Sequence, residues 1–273
     1  MEIDFLEDPS CTDPSFPPEM HPLFIEERLL GLIYLADGKG PHKTLVLLHG
    51  FPGNEKNQDL AHTLRRAGFN VLVFHYAGSW GSRGDYSFGQ AYRDLETVRR
   101  ALEEESFALN HRIDRENIYL AGHSVGGCLT LLAARNGMDF QGFAVLAPYN
   151  LSAQAERIHS QEEGAYRETL DLFQGGMPPL NGTTPEILIE EILGKRGEWN
   201  FFADDSAYEG EKILLVVATL DEVAHPRVHQ WPISEMIKRL PRPGNVVSLS
   251  CSHDFSEKRV TLAQTLCEWL RGS

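Results

Sequence analysis

Ile118-Tyr119-Leu120-Ala121-Gly122-His123-Ser124-Val125-Gly126 decides the fold. An apolar run of strand type leads into G-x-S-x-G, and a helical pattern continues from there to about Asn136. Glycine on both sides implies a turn too tight for a Cβ at either place. Such a turn raises Ser124 Oγ above the end of a sheet and aims the next amide, that of Val125, at the same point. A Gly-rich turn with an incidental serine would share this pattern, so the reading depends on what surrounds it.

Outward from this turn, short apolar runs alternate with amphipathic stretches. Strands are expected at 45–48, 71–74, 118–121, 143–146, 213–218 and 246–249. Helices are expected at about 55–67, from Ser87 through Leu102, and at about 229–240 and 256–271. Ser87 and Gln90 have capping-box spacing. Alternation of this kind predicts an α/β fold, a doubly wound and mostly parallel sheet with helices on both faces. The rhythm breaks at 150–210, where two polar helical stretches flank Gly175-Gly176-Met177-Pro178-Pro179 and the second starts at Thr184 with Pro185. Residues 150–210 are therefore expected to form an inserted helical cap, with 1–149 and 211–273 as the core. Residues 1–21 are expected to be irregular, and 24–35 to add a hairpin at the sheet edge.

Composition narrows the partners. The 273 residues carry a formal charge of −14, without a basic run to track phosphates, so no nucleic-acid partner is expected. Cys11, Cys128, Cys251 and Cys267 are too scattered for a zinc site or a disulfide scaffold, and reduced thiols fit a cytoplasmic setting. The acidic start, Met1-Glu2-Ile3-Asp4, is unlike a secretion signal. The apolar runs fall short of the roughly 20 residues that span a bilayer, so no membrane partner is expected. Oligomeric state is not encoded in any pattern found.

A serine hydroxyl needs a base, and the base needs an acid to orient it. Asp221 follows the strand run Leu214 to Leu220 directly, at the end where parallel sheets gather their reactive groups, with Glu222 as the rival. His253 follows the last strand in the same way. His225 and His229 would crowd the acid, while His49, His75 and His123 suit packing at strand ends. Leu47-Leu48-His49-Gly50-Phe51-Pro52-Gly53 ends the first parallel strand, and its turn can set the Phe51 N–H beside that of Val125 as an oxyanion hole. The loop from Tyr76 to Gly84 either walls the substrate pocket with Trp80 or buries Trp80 for packing.

With these parts together, the chain resembles an α/β-hydrolase, in particular the catalytic domain of prolyl-oligopeptidase-like hydrolases and their single-domain esterase relatives. The likeness rests on 47–53, 74–84, the turn at Ser124, Thr219-Leu220-Asp221-Glu222-Val223 and His253-Asp254-Phe255-Ser256, and runs from about residue 43 to the end. It implies a Ser124–His253–Asp221 triad, backbone oxyanion donors at Phe51 and Val125, and no metal or cofactor. The implied activity is hydrolysis of a small carboxylic ester through an acyl-enzyme. The alternatives are a peptidase or amidase for small peptides or acylated amino acids, and a ligand-binding protein with little turnover. Only about 40 residues precede the first parallel strand, too few for the propeller of the peptidase relatives, which favours the ester.

Overall fold

The computed structural model describes residues 13–242 and 244–272. Cys11 and the acidic start at Met1–Asp4 lie outside them. The strands are β1 (Glu19–Ile25), β2 (Leu29–Leu35), β3 (His42–Leu48), β4 (Asn70–Phe74), β5 (Ile113–His123), β6 (Phe143–Leu146), β7 (Ile213–Ala218) and β8 (Asn245–Leu249). They form one eight-stranded sheet in the order β1-β2-β4-β3-β5-β6-β7-β8. From β4 to β8 every pairing is parallel, and β1 and β2 add an antiparallel hairpin at one edge.

The helices are α1 (Gln58–Arg66), α2 (Phe88–Glu103), α3 (Glu105–Asn110), α4 (Val125–Arg135), α5 (Leu151–His159), α6 (Ala165–Gly175), α7 (Pro185–Gly194), α8 (Pro226–His229), α9 (Trp231–Arg239) and α10 (Arg259–Arg271). Alternate residues of each strand face opposite sides, so the continuous apolar runs build two cores. Val46, Leu48, Leu72, Leu120 and Val217 pack against α2, α4 and α9. Leu45, Leu47, Val71, Tyr119 and Val216 pack against α1 and α10. Each fully buried Leu or Val contributes roughly 1.5–3 kcal/mol.

Three local outcomes differ from expectation. The hairpin starts at Glu19, so residues 19–21 of the stretch expected to be irregular are strand, with Glu19 paired to Leu35 and His21 to Ile33. An edge strand needs only backbone pairing, and exposed Met20 and Pro22 hide the alternation that would have marked it. Between β6 and β7 lie three α-helices, α5, α6 and α7, and a 3₁₀ turn at Asp205–Tyr208. The first expected stretch is two helices because α5 stops at His159, Gln161 turns to φ +58° and Gly164, at φ +82°, starts α6. The capping box is half made. Ser87 accepts from the Gln90 amide, but the Gln90 side chain turns to Asp94. Glu191 of α7 fills the gap by accepting from the Phe88 and Gly89 amides at 2.8 and 2.9 Å. A carboxylate suits that helix end, and here it fastens the insertion to the core.

Asp94, fully buried, joins the hairpin to the rest. It pairs with Arg28 and accepts from Gln90 Nε2 at 2.7 Å and from the Ala77 amide at 2.6 Å. Removing one partner of a buried pair leaves the other unmatched, so Asp94→Ala should lower the unfolding free energy by about 3 kcal/mol in urea titration.

Candidate active site

Ser124 sits alone between β5 and α4 with φ +58° and ψ −121°. That backbone conformation costs a non-glycine residue on the order of 1–3 kcal/mol and persists only where its surroundings dictate it. Those surroundings are close backbone contacts that only glycine permits. A Cβ on Gly122 would stand 2.1 Å from the Gly126 carbonyl oxygen, and one on Gly126 would stand 2.7 Å from that of His49. Ser124 is thereby placed over the N-terminus of α4, whose first amides lack intrahelical acceptors and carry partial positive charge.

The turn at 49–53 runs against it. A Cβ on Gly50 would lie 2.7 Å from Ser124 Cβ. Tyr76 donates its hydroxyl to the His49 carbonyl at 2.9 Å, and Trp80 Nε1 donates to the Pro52 carbonyl at 2.8 Å. The Phe51 ring packs among Tyr86, Phe88 and Phe173, the last from α6. The loop from Tyr76 to Gly84 therefore braces this turn, and Trp80 is not among the residues lining the cleft over Ser124.

Asp221 and His253 are brought together by continuation of the β7–β8 ladder, where Thr219 N–H donates to Leu249 and Leu220 N–H to Cys251. His253 Nδ1 lies 2.6 Å from Asp221 Oδ2, while Glu222 is exposed on the turn. Asp221 is held by three further donors. The Val223 and Ala224 amides reach Oδ1 at 2.8 and 2.7 Å, and Gln230 Nε2 reaches Oδ2 at 2.8 Å. Burial pushes the carboxyl up, but the His253 hydrogen bond and charge and the two amides outweigh it, leaving it below the usual carboxylate range. Gln230 escaped the sequence reading. Nothing in its neighbourhood marks it, and its role arises from fully buried contacts to Asp221, the Ala224 carbonyl and the Ala218 amide.

Ser124 and His253 line the same cleft of about 370 Å³, with Phe51, Pro52, Leu172 and Val223 as apolar wall. No hydrogen bond joins Ser124 Oγ to the imidazole among the described residues. Such bonds are often loose without substrate. Val125 follows as the first residue of α4, and Phe51 lies on the cleft wall. The lining includes Glu55, Asp171 and Asp254 and neither lysine nor arginine. Of the acids in 150–210, Asp171 alone is among these lining residues, and it pairs with Arg167 at 2.9 Å. Glu156, Glu162 and Glu168 pair with arginines on the outer surface. Exposed His225 caps α8 through the Arg227 amide, and the remaining histidines near the site pack against its walls. His229 stacks on Tyr149 and accepts from the Asn150 amide, and His123 packs on His253. Cys128, Cys251 and Cys267 are buried and free, with burial pushing Cys128 up to about 12 and Cys267 to about 11.

Residues 45–271 match the alpha/beta hydrolase family. A curated relative, esterase EstD of Thermotoga maritima, is 28% identical over 160 residues, 53% of this chain. The chain spans only 37% of that relative's length. Among solved structures, Est1E from Butyrivibrio proteoclasticus superposes with a TM-score of 0.66 at 15% identity, over 93% of this chain and 98% of the other. Pyrococcus horikoshii acylaminoacyl peptidase gives 0.65 at 16% identity, over 94% of this chain and 41% of the other. Among the described residues no helix is long and apolar enough to cross a membrane.

Two buried imidazoles in and behind the site set an acid limit on the fold. Burial pushes His49 and His229 each down to about 3, so the folded chain refuses protons that the unfolded chain binds near the ordinary value of about 6.5. Their contribution is full above that value and is lost as pH falls from there toward about 3. Asp221 acts in the same direction at lower pH. Urea midpoints measured from pH 8 to pH 4 should be level at first and then fall steadily below about 6.5.

Proposed function

This chain belongs to the alpha/beta hydrolase family, and we propose that it hydrolyses carboxylic esters of small substrates through an acyl-enzyme on Ser124. The observation carrying this reading is the 2.6 Å bond from His253 Nδ1 to buried Asp221, in a cleft that also presents Ser124 on its constrained turn. Asp221 fixes the proton on Nδ1, so Nε2 offers a lone pair to the cleft. As Ser124 Oγ attacks the acyl carbon, Nε2 takes its proton. The carbonyl oxygen becomes an oxyanion facing the Phe51 and Val125 amides, and donors of this kind are worth roughly 3 kcal/mol each. The imidazolium then protonates the leaving alcohol. Water repeats the sequence on the acyl-enzyme, releasing the acid and restoring Ser124.

Esters are the first reading, and the acids Glu55, Asp171 and Asp254 in the cleft lining favour, as a second, a substrate with a cationic amino terminus. The Glu162–Glu163 and Glu190–Glu191 pairs are not among its lining residues, and Glu191 is occupied at the start of α2.

Ser124→Ala should abolish both turnover of chromogenic esters and labelling by a fluorophosphonate, which needs an activated serine. Asp221→Asn should lower kcat by about 10⁴, since an amide cannot hold the imidazole tautomer or stabilise imidazolium. Glu222→Gln should change it less than threefold. Labelling that survives in Ser124→Ala would defeat the assignment, and absence of both turnover and labelling in the unaltered protein would leave a binding role.

The acidic lining also makes selection among esters testable. Like charges are repelled from such a cleft, and salt screens this over about 10 Å at 0.1 M. An ester bearing a carboxylate should show lower kcat/KM than a neutral one of equal size, and the gap should narrow as salt is raised.

A further inference from the structure

The proposed reaction uses His253 and gives its neighbour His123 no task. His123 precedes Ser124, lines the same cleft and is only 3% exposed. Its Nε2 lies 2.9 Å from the His253 carbonyl oxygen. A carbonyl can only accept, so Nε2 carries the proton and Nδ1 is a bare lone pair. That Nδ1 is buried and has no hydrogen-bond partner. An unsatisfied buried acceptor in a native fold requires an explanation.

His253 is prepared in the same way. Its Nδ1–H is directed to Asp221 and its Nε2 is bare. Asp254, the next residue, adds an exposed carboxylate on the same cleft. One potential ligand atom from each of His123, His253 and Asp254 lies within 4.8 Å of the others. Metal-binding histidines characteristically donate one ring N–H to a carbonyl or carboxylate and present the other nitrogen to the ion. Both imidazoles here have one ring nitrogen committed to a carbonyl or carboxylate, which leaves the second for an ion.

We propose that His123, His253 and Asp254 form an inhibitory site for a divalent transition-metal ion, Zn²⁺ in particular. Two imidazole nitrogens and one carboxylate oxygen make a three-donor set, with a fourth position for water. Imidazole donors select against Mg²⁺ and Ca²⁺, which require oxygen shells. The acids lining the cleft draw cations toward it. Each imidazole already points one ring nitrogen at a protein acceptor, so the ion takes the other without breaking a protein hydrogen bond. The ion occupies the lone pair on His253 that would otherwise take the Ser124 proton, so hydrolysis stops until the ion leaves. The site itself stands on geometry, and the inhibition rests on the ester-hydrolase reading.

The full chain, stripped with EDTA, is titrated with ZnCl₂ by calorimetry, and ester turnover is followed in parallel. One Zn²⁺ should bind per chain, at least tenfold more weakly in Asp254→Asn and in His123→Asn, and with unchanged affinity in Ser124→Ala. Turnover should fall with occupancy, recover with EDTA and ignore MgCl₂. Asp254 is exposed, so its variant remains informative even if His123→Asn does not fold. Zn²⁺ binding undiminished in Asp254→Asn, or no stoichiometric binding, overturns the proposal. A chain that binds Zn²⁺ through these residues yet turns over no ester sustains the metal site and defeats the hydrolase reading instead.

Discussion

Ser124 keeps its left-handed backbone because Gly122 and Gly126 let β5, α4 and the end of β3 approach more closely than any side chain would allow. This single packing constraint sets the rest of the site. It puts the serine at the start of α4, where unpaired amides gather, and beside Gly50, whose missing side chain lets the turn after β3 lie against it. The strain in one residue is borne by three elements buried on both faces. The hydroxyl position is therefore a property of the sheet and owes little to the loop.

A second set of contacts sets the imidazole. Asp221 has all its hydrogen-bonding capacity engaged by two amides, Gln230 and His253, so the carboxylate cannot rotate and the histidine it holds cannot either. Gln230 is in turn fixed by the Ala218 amide at the end of β7. Orientation thus passes from the sheet through a buried amide side chain to the carboxylate and then to the ring, a supporting arrangement typical of groups that must act in one geometry.

Much of this was legible in the sequence because it depends on local pattern. G-x-S-x-G after an apolar run, an acid directly off β7 and a histidine after β8 are all fixed by where strands end, and strand ends follow from hydrophobic runs. Gln230 was not legible, since its partners lie up to 12 residues away and meet only through the fold. The same holds for Glu191, which serves a helix 103 residues earlier in the chain. β1 was partly hidden because an edge strand is defined by backbone pairing, and the break between α5 and α6 because Ser160 to Glu163 are polar residues that a helix surface would also carry. Sequence alone left Trp80 as pocket wall or as buried packing, but the ring is 37% exposed and its N–H is spent on the Pro52 carbonyl, a pairing no local pattern announces.

The helices α5, α6 and α7 leave the sheet after β6 and return at β7, and those two strands are immediate neighbours. The excursion begins and ends at almost the same place, so the sheet's register is indifferent to its length. What holds these helices to the core is side-chain packing and a few bonds, such as Phe173 on Phe51 and Glu191 at the start of α2, and not the sheet ladder. A change in the length of this excursion therefore falls on packing between helices and leaves the backbone ladder between β6 and β7 as it is.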